Sequence, residues 1–292
     1  MINKIYKIIN NKFSRFFKFI FFLRYLFAIF FVAIVLFVSI PQLFDYKKKQ
    51  NIIISNLSNS YGIDIEKIGS IKFKSFPIPH LQVNNSTANY LSSETKLQVE
   101  KLLIFPKLIS IYNYDNFEVK KIKLLNSSIK TDTEKITTLS KKIFDSKQKI
   151  YFKDLKIKVI ESNNIIIDLN NVSFSNYGYN RNTIIGEVFN KNFKIKLLDN
   201  LRNINFILLD TGISATLNLL NNETRASSGI LKGSILKSNY KIAFLYDDKS
   251  IKISNFFFRD KKLSFDSKGN IKLSPFFKIS LESEIKKFDK KI

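Results

Sequence analysis

Apolar and polar residues alternate along most of the chain after residue 62. The stretch "SIKFKSFPIPHLQV" (70–83) shows the pattern, with Ile71 and Phe73 alternating with lysines. Two prolines interrupt the alternation, and it resumes at Leu81 and Val83. Successive side chains of a β-strand point to opposite faces of the sheet, so this period predicts strands with one apolar and one polar face. The prolines mark the crossing between two strands, because proline is normally confined to a strand's edge, start or bulge.

The same alternation recurs in about fifteen segments, which are separated by clusters of Asn, Asp, Ser and Gly typical of turns. Two segments differ. Residues 47–61 predict a short helix that ends at Gly62, and residues 133–146 predict a short helix inserted between two parts of the sheet. The candidate binding residues are the alternating apolar positions: Ile71, Phe73, Leu81, Val83, Leu97, Val99, Ile122, Leu124, Leu155, Ile157, Val159, Phe193, Ile195, Ile251, Ile253, Phe265, Ile271 and Leu273.

A membrane anchor is predicted near the amino terminus. The run from Tyr25 to Phe44 holds no charged residue and would form a helix of about 30 Å, enough to cross a hydrocarbon core. It is longer than the core of a signal peptide and no A-x-A site follows it, which favours an uncleaved anchor. The basic residues before it are Lys4, Lys7, Lys12, Arg15, Lys18 and Arg24, and those close after it are Lys47, Lys48 and Lys49. The positive-inside rule therefore predicts residues 1–24 in the cytoplasm, a single transmembrane helix over 25–44, and residues 45–292 outside the cytoplasm.

Composition excludes several kinds of chemistry. The 292 residues include no cysteine and one histidine, so neither a disulfide framework nor a Cys/His metal site can form. His80 reads as an ordinary residue after the proline break, and the neighbouring carboxylates Asp64 and Glu66, like Asp247 and Asp248, read as solvated turn residues. We therefore expect no enzymatic activity, no catalytic residues, no cofactor and no metal.

The formal net charge of +24 raises the question of nucleic acid. Lysine is spread along the whole chain, mostly one per alternation, rather than gathered into a patch. Nucleic acid is therefore not the expected partner, and attraction to anionic lipid headgroups explains the sign of the charge equally well.

The apolar face of such a sheet must be covered by something. A second sheet could pack on it, the sheet could close into a barrel, or it could curve into a trough that holds an apolar ligand. The residues alone leave a packed core and a lipid-facing groove both open. Many of the segments are longer than ordinary strands, which favours a trough. About fifteen strands spaced by about 4.7 Å would give it a length of about 70 Å.

The order of features resembles the AsmA-like family of bacterial envelope proteins, relatives of bridge-like lipid-transfer proteins. After the anchor, "YGIDIEKIGSIKFKSFPIPHLQV" resembles the family's glycine, paired strands and proline-marked crossing. The family's next strands are resembled by "KLQVEKLLIFPKLIS" and "NFEVKKIKLLNSSIK". Residues 150–175 resemble a later strand pair of the family, and residues 231–275 resemble its closing meander. The likeness covers most of the chain after residue 25. Members are often far longer, so the chain is either a short member or a fragment.

That resemblance implies a fold and a function. The expected fold is mainly β: an amino-terminal transmembrane helix, then an elongated, curved antiparallel sheet that forms a hydrophobic groove over residues 45–292. The expected function is phospholipid binding at the bacterial inner membrane, on its periplasmic side, in lipid transfer to the outer membrane or its maintenance. The implied partners are phospholipid acyl chains and an envelope protein or a second copy. The alternative is a non-catalytic assembly factor for outer-membrane proteins that acts through an exposed strand edge.

Overall fold

Sixteen β-strands form one long curved sheet in the computed structural model. Strands β1 and β2 both pair with β3, and from β3 to β16 the order in the sheet follows the chain. The structure describes residues 13–90, 95–113, 117–132, 135, 139, 142–144, 146–161, 164–199, 202–221, 227–247, 249–273 and 276–289. The strands are β1 Ile63–Lys67, β2 Ser70–Lys74, β3 His80–Tyr90, β4 Thr95–Pro106, β5 Val119–Asp132, β6 Lys149–Glu161, β7 Asn164–Ser175, β8 Thr183–Val188, β9 Lys191–Leu198, β10 Asn203–Leu208, β11 Ile213–Asn221, β12 Ser227–Ile235, β13 Ser238–Tyr246, β14 Ser250–Arg259, β15 Leu263–Lys272 and β16 Lys278–Phe288. The predicted mainly β fold with an extended sheet is confirmed.

Helices precede the sheet. Helix α1 (Ser14–Ser39) continues into a 3-10 turn (Ile40–Leu43), and helix α2 (Gln50–Tyr61) follows. The stretch Ser14–Leu43 is long and apolar enough to cross a membrane, and protein covers none of its most apolar part. The helix begins earlier than the predicted span of 25–44. That prediction used the uncharged run, and Arg15, Lys18 and Arg24, which precede the run, are also part of the helix.

Helix α2 packs on the apolar face of the first strands. Its buried residues are Ile53, Leu57 and Tyr61, spaced by four so that they share one side of the helix. Asn56 donates a hydrogen bond from Nδ2 to the carbonyl of Phe117 over 2.8 Å. Gly62 ends the helix at a φ of +66°, a left-handed conformation that glycine adopts without strain, as the sequence predicted.

One pair of strands departs from the antiparallel pattern. Strands β5 and β6 run parallel, whereas the other pairings are antiparallel. A parallel pair needs a long connection that returns to the starting end, and residues 133–148 supply it. The helix predicted over 133–146 lies mostly outside the described residues, although Leu139, Ile143 and Phe144 within it are helical. Asn176 holds the end of the connection, since its Nδ2 donates to the carbonyl of Gln148 over 2.6 Å.

A row of bulges crosses strands β3 to β7. In each strand two inward-facing residues are three apart rather than two, and Asn85, Asn126, Asp154 and Asn171 beside the slip have φ between +49° and +55°. The inward pairs are Val83 and Ser86, Val99 and Leu102, Leu124 and Ser127, Phe152 and Leu155, and Leu169 and Val172. Asn and Asp tolerate this backbone conformation better than other side chains that carry a Cβ. The slips of β3 to β6 lie opposite one another, and the slip of β7 lies just beyond that of β6. The apolar side chains therefore stay on one face while the sheet bends.

Two loops hold the end of α1 beside the sheet, and we name residues 75–79 and 108–112 the anchor loops. In the first, Ser75 donates a hydrogen bond from Oγ to the carbonyl of Val38 over 2.8 Å. In the second, the Tyr112 hydroxyl donates to the carbonyl of Phe37, and the Tyr112 ring lies 4.9 Å from the Phe37 ring. The loops therefore fix where the helix meets the sheet.

The packing of α2 can be tested by truncating its central side chain. Leu57 is fully buried, so we expect Leu57→Ala to lower the free energy of unfolding by about 2–5 kcal/mol, through lost contacts and the cavity left behind. The measurement is denaturant unfolding of the full chain in detergent micelles, followed by circular dichroism at the strand signal. Leu236→Ala is the matched control, because Leu236 is exposed and its truncation should change stability by less than about 0.5 kcal/mol.

Candidate functional site

Cross-strand register joins the apolar residues into one continuous face, which we name the apolar face. Residues directly opposite each other on paired strands share a face. One row runs through Phe152, Phe174, Ile184, Ile195, Phe206, Ala215, Gly233, Tyr240, Phe258, Phe265 and Ile285. A second row, nearer the other strand ends, includes Ile204, Leu217, Leu231, Ile242 and Phe256. The sheet therefore presents an apolar surface along its whole length.

The structure divides the predicted binding residues by their burial. The buried ones are Ile71, Leu81, Val83, Leu97, Val99, Ile122, Leu124, Leu155, Val159, Phe193 and Ile253. The half-buried ones are Phe73, Ile157, Ile195, Ile251, Phe265, Ile271 and Leu273, of which Leu273 follows the end of β15. Most buried positions lie on β2 to β6, and most half-buried ones lie later in the chain.

Protein covers the apolar face over the first strands. Ile53, Leu57 and Tyr61 of α2 belong to the same packed cluster as the inward residues of β1 to β5. Tyr46 stacks on Phe73 at 5.9 Å between ring centroids. Farther along, the helical residues of the β5–β6 connection continue the cover, where Phe144 meets Phe174 edge to face at 5.2 Å. This part of the face is a packed core of the chain's own side chains.

The apolar face of strands β8 to β16 has no comparable cover among the described residues. These strands make their main contacts only with their neighbours in the same sheet. Three inward residues, Phe193, Leu197 and Ile253, are buried, and the first two belong to the packed cluster of the first strands. Others such as Phe206, Leu231 and Phe256 stay half-buried. On β16 the inward residues Ile279, Leu281 and Ile285 are exposed by 41–63%. We name the apolar face of β8 to β16 the open segment.

Glycines make the floor of the open segment smooth. At Gly229 an added Cβ would lie 2.5 Å from the Phe244 ring, and at Gly233 it would lie 2.0 Å from the carbonyl oxygen of Ser214 and 2.5 Å from the Tyr240 hydroxyl. The rings of β13 therefore lie over the glycines of β12. Aromatic contacts continue on β14 and β15, where Phe258 and Phe265 stack at 5.1 Å. The result is a broad aromatic and aliphatic surface on this part of the apolar face.

The opposite face of the sheet is polar. Across β3 to β6, Thr87, Gln98, Ser128 and Lys156 lie opposite one another and help to line a shallow cleft of about 620 Å³ beside the bulge row. In the part of the chain that the structure describes, no three His, Asp or Glu side chains come together as metal ligands. The cleft therefore offers hydrogen-bonding groups together with the charged side chains of Glu100, Asp154 and Lys156.

Lysines and aromatic rings cluster on the polar face near the anchor loops. Lys121 Nζ lies 4.5 Å from the centroid of the Phe105 ring, and Lys123 Nζ lies 5.2 Å from that of Tyr151. Burial, followed by repulsion from nearby lysines led by Lys123, lowers the pKa of the Lys121 ammonium. Positive charge is therefore concentrated here, and a bound anion would relieve it.

The carboxylates and the histidine noted in the sequence have local structural partners. Asp247 caps a turn by accepting hydrogen bonds from the backbone N–H groups of Lys249 and Ser250, and these bonds lower its pKa. Glu66 accepts a hydrogen bond from Asn89 over 2.7 Å. His80 is buried, with Nδ1 2.7 Å from the carbonyl oxygen of Ile78. Asp248 lies outside the described residues.

No family model, curated protein or solved structure matches this chain. The resemblance to the AsmA-like family therefore stays a prediction, and what the chain does must be argued from its own geometry.

Sequence reasoning missed much of the open segment. The inward residues of β10 to β13 were not among the candidates, although the start of "ATLNLL" alternates. In "YKIAFLY" consecutive apolar residues hide the period. On β14 the run Phe256 to Phe258 hides the alternation, because Phe257 faces the polar side while its two neighbours face inward. Only the pairing with β13 and β15 shows which phenylalanines share the face.

Charged substitutions should separate the covered core from the open segment. Ile122 is fully buried, so Ile122→Lys would place an unpaired charge in the core and is expected to abolish cooperative unfolding. Phe258→Lys, on the open segment, is expected to leave the sheet folded because lysine can extend its ammonium into water. Circular dichroism during denaturant unfolding of both full-length variants gives the comparison. Loss of folded signal in Phe258→Lys would mean that the open segment is a closed core.

Proposed function

We propose that this protein is a membrane-anchored lipid-binding protein that holds phospholipid acyl chains on the open segment. The observation that carries the proposal is the continuation of the apolar face over β8 to β16, on which no helix of the described part of the chain packs. Apolar surface of this extent is unfavourable in water, and exposed patches of this kind commonly mark binding sites.

The dimensions of the open segment suit acyl chains. Nine strands spaced by about 4.8 Å extend about 40 Å, while the acyl chains of one leaflet span about 15 Å, half of a hydrocarbon core of about 30 Å. Each methylene removed from water contributes about 0.8 kcal/mol, so hydrocarbon can be held without polar recognition of a headgroup. The polar face would remain in water.

The anchor and the charge support a place at a membrane. The stretch Ser14–Leu43 would tether the sheet to a bilayer, and the net charge of +24 would attract anionic headgroups. We place this protein in the bacterial inner membrane with its amino terminus in the cytoplasm and the sheet in the periplasm. Its role would be phospholipid transfer to the outer membrane, or maintenance of that membrane, with an envelope protein or a second copy completing the path.

Photo-crosslinking in cells tests the proposal on the full chain. A phospholipid with a photoreactive acyl chain is expected to label residues of β8 to β16, mapped by mass spectrometry of the digested protein. The double variant Phe256→Lys with Phe258→Lys should reduce that labelling several-fold. Phe257→Lys is the matched control, because Phe257 lies between them on the polar face and its charge should leave the labelling unchanged. Adducts confined to α1 would contradict lipid binding by the sheet.

The exposed edge of β16 favours a second candidate, a non-catalytic assembly factor for outer-membrane proteins. All eleven residues of β16 are exposed, and among the described strands it pairs only with β15. A free edge can accept a further strand from another chain. A photoreactive amino acid in place of Glu282 should then crosslink to outer-membrane proteins during their assembly, whereas the same replacement at Lys252, on a central strand, should not.

A further inference from the structure

We propose that the anchor loops insert into the membrane leaflet at the carboxy-terminal end of α1, as a second membrane contact of the folded domain. This inference rests on α1 spanning the bilayer. It does not depend on lipid binding by the open segment, so the two proposals can fail separately.

Hydrogen bonds set the depth of the anchor loops. Ser75 and Tyr112 donate to the carbonyls of Val38 and Phe37, which lie six to seven residues before the end of the uncharged run at Phe44. That separation is about 10 Å along a helix. If the uncharged run fills the hydrocarbon core, the points of attachment lie inside the bilayer rather than above it. Gln42 strengthens the attachment by donating to Ser75 Oγ over 2.6 Å.

The loops expose large apolar side chains at this depth. Phe76 is 86% exposed and Ile109 is 81% exposed, and Ile78 and Leu108 are about half exposed. Leu43, at the end of the spanning stretch, is 85% exposed. Single exposed apolar residues are common on soluble surfaces, but these lie in two loops fastened to the same transmembrane segment. Burial in the leaflet would remove all of them from water at once.

The backbones of the loops suit an apolar environment. Peptide groups entering lipid must have their hydrogen bonds satisfied or lack the donor. In the first loop Pro77 and Pro79 have no N–H to satisfy. In the second, the Ser110 N–H donates to the carbonyl of Lys107 and the Tyr112 N–H donates to that of Ile109. The free-energy cost of moving the peptide groups of both loops into lipid is therefore reduced.

Charged and aromatic residues surround the loops as they do at a membrane surface. Lys74 precedes the first loop and Lys107 precedes the second, where it pairs with Glu118. Lys121 lies one strand away, opposite Phe105 at the end of β4. Lysines near an anionic surface each contribute attraction. This arrangement indicates a bilayer rather than the apolar surface of another protein.

Single cysteines can report the depth of each loop, because the natural chain contains none. Phe76→Cys, Ile109→Cys, Ile34→Cys in α1 and the control Leu236→Cys in the β12–β13 turn would each carry an environment-sensitive fluorophore. The full-length proteins would be reconstituted in vesicles of phosphatidylethanolamine with phosphatidylglycerol. Quenching by a phospholipid with a spin label near its headgroup, and by aqueous iodide, would then be measured.

We expect the labels at 76 and 109 to be quenched by the spin-labelled lipid several-fold more than the label at 236, and by iodide several-fold less. A label at 34 in lipid with labels at 76 and 109 accessible to iodide would overturn the proposal. Labels at 76 and 109 shielded from both quenchers would overturn it in favour of contact between copies of the chain. If iodide also quenches the label at residue 34, both this proposal and the assignment of α1 as a membrane anchor would be overturned.

Discussion

A sheet with one apolar face must keep that face from water, and the rest of this structure follows from how far the chain can do so. Helix α2 and the helical residues of the β5–β6 connection cover the first strands, where residues such as Leu57, Ile104 and Ile122 are fully buried. No comparable element follows among the described residues, yet the strand pairing continues to β16, with bulges between several of the later strands. The same alternation therefore produces a packed core at one end and an accessible surface at the other.

The alternation of the sequence was sufficient to predict a long, mainly β chain and the helix ending at Gly62. It was not sufficient to separate core from open surface, because Leu81 and Phe265 have the same local pattern and differ only in what lies above them. That difference depends on where α2 folds back, a long-range contact that periodicity does not encode. The parallel pairing of β5 with β6 was also missed, since strand direction depends on the path of the connection.

The bulge row shows a signal that was present but easily misread. Segments such as "VNNS", "FKDL" and "LNNV" break the period of two, and taken one at a time each resembles a strand end. In the structure the irregularities of β3 to β6 lie opposite one another on neighbouring strands, and that of β7 lies just beyond. Asn and Asp at these positions are thus part of the sheet's curvature rather than turn residues.

Because strands β3 to β16 follow chain order and contact mainly their neighbours, the sheet grows in one dimension, as repeat proteins do. Insertion or loss of a hairpin would change its length by about 10 Å without rearranging the first strands or the attachment to α1. An even number of strands would preserve both the direction of the chain and the face that the apolar residues occupy. Evolution could therefore adjust the reach of such a domain away from its tether in discrete steps while its base stays constant.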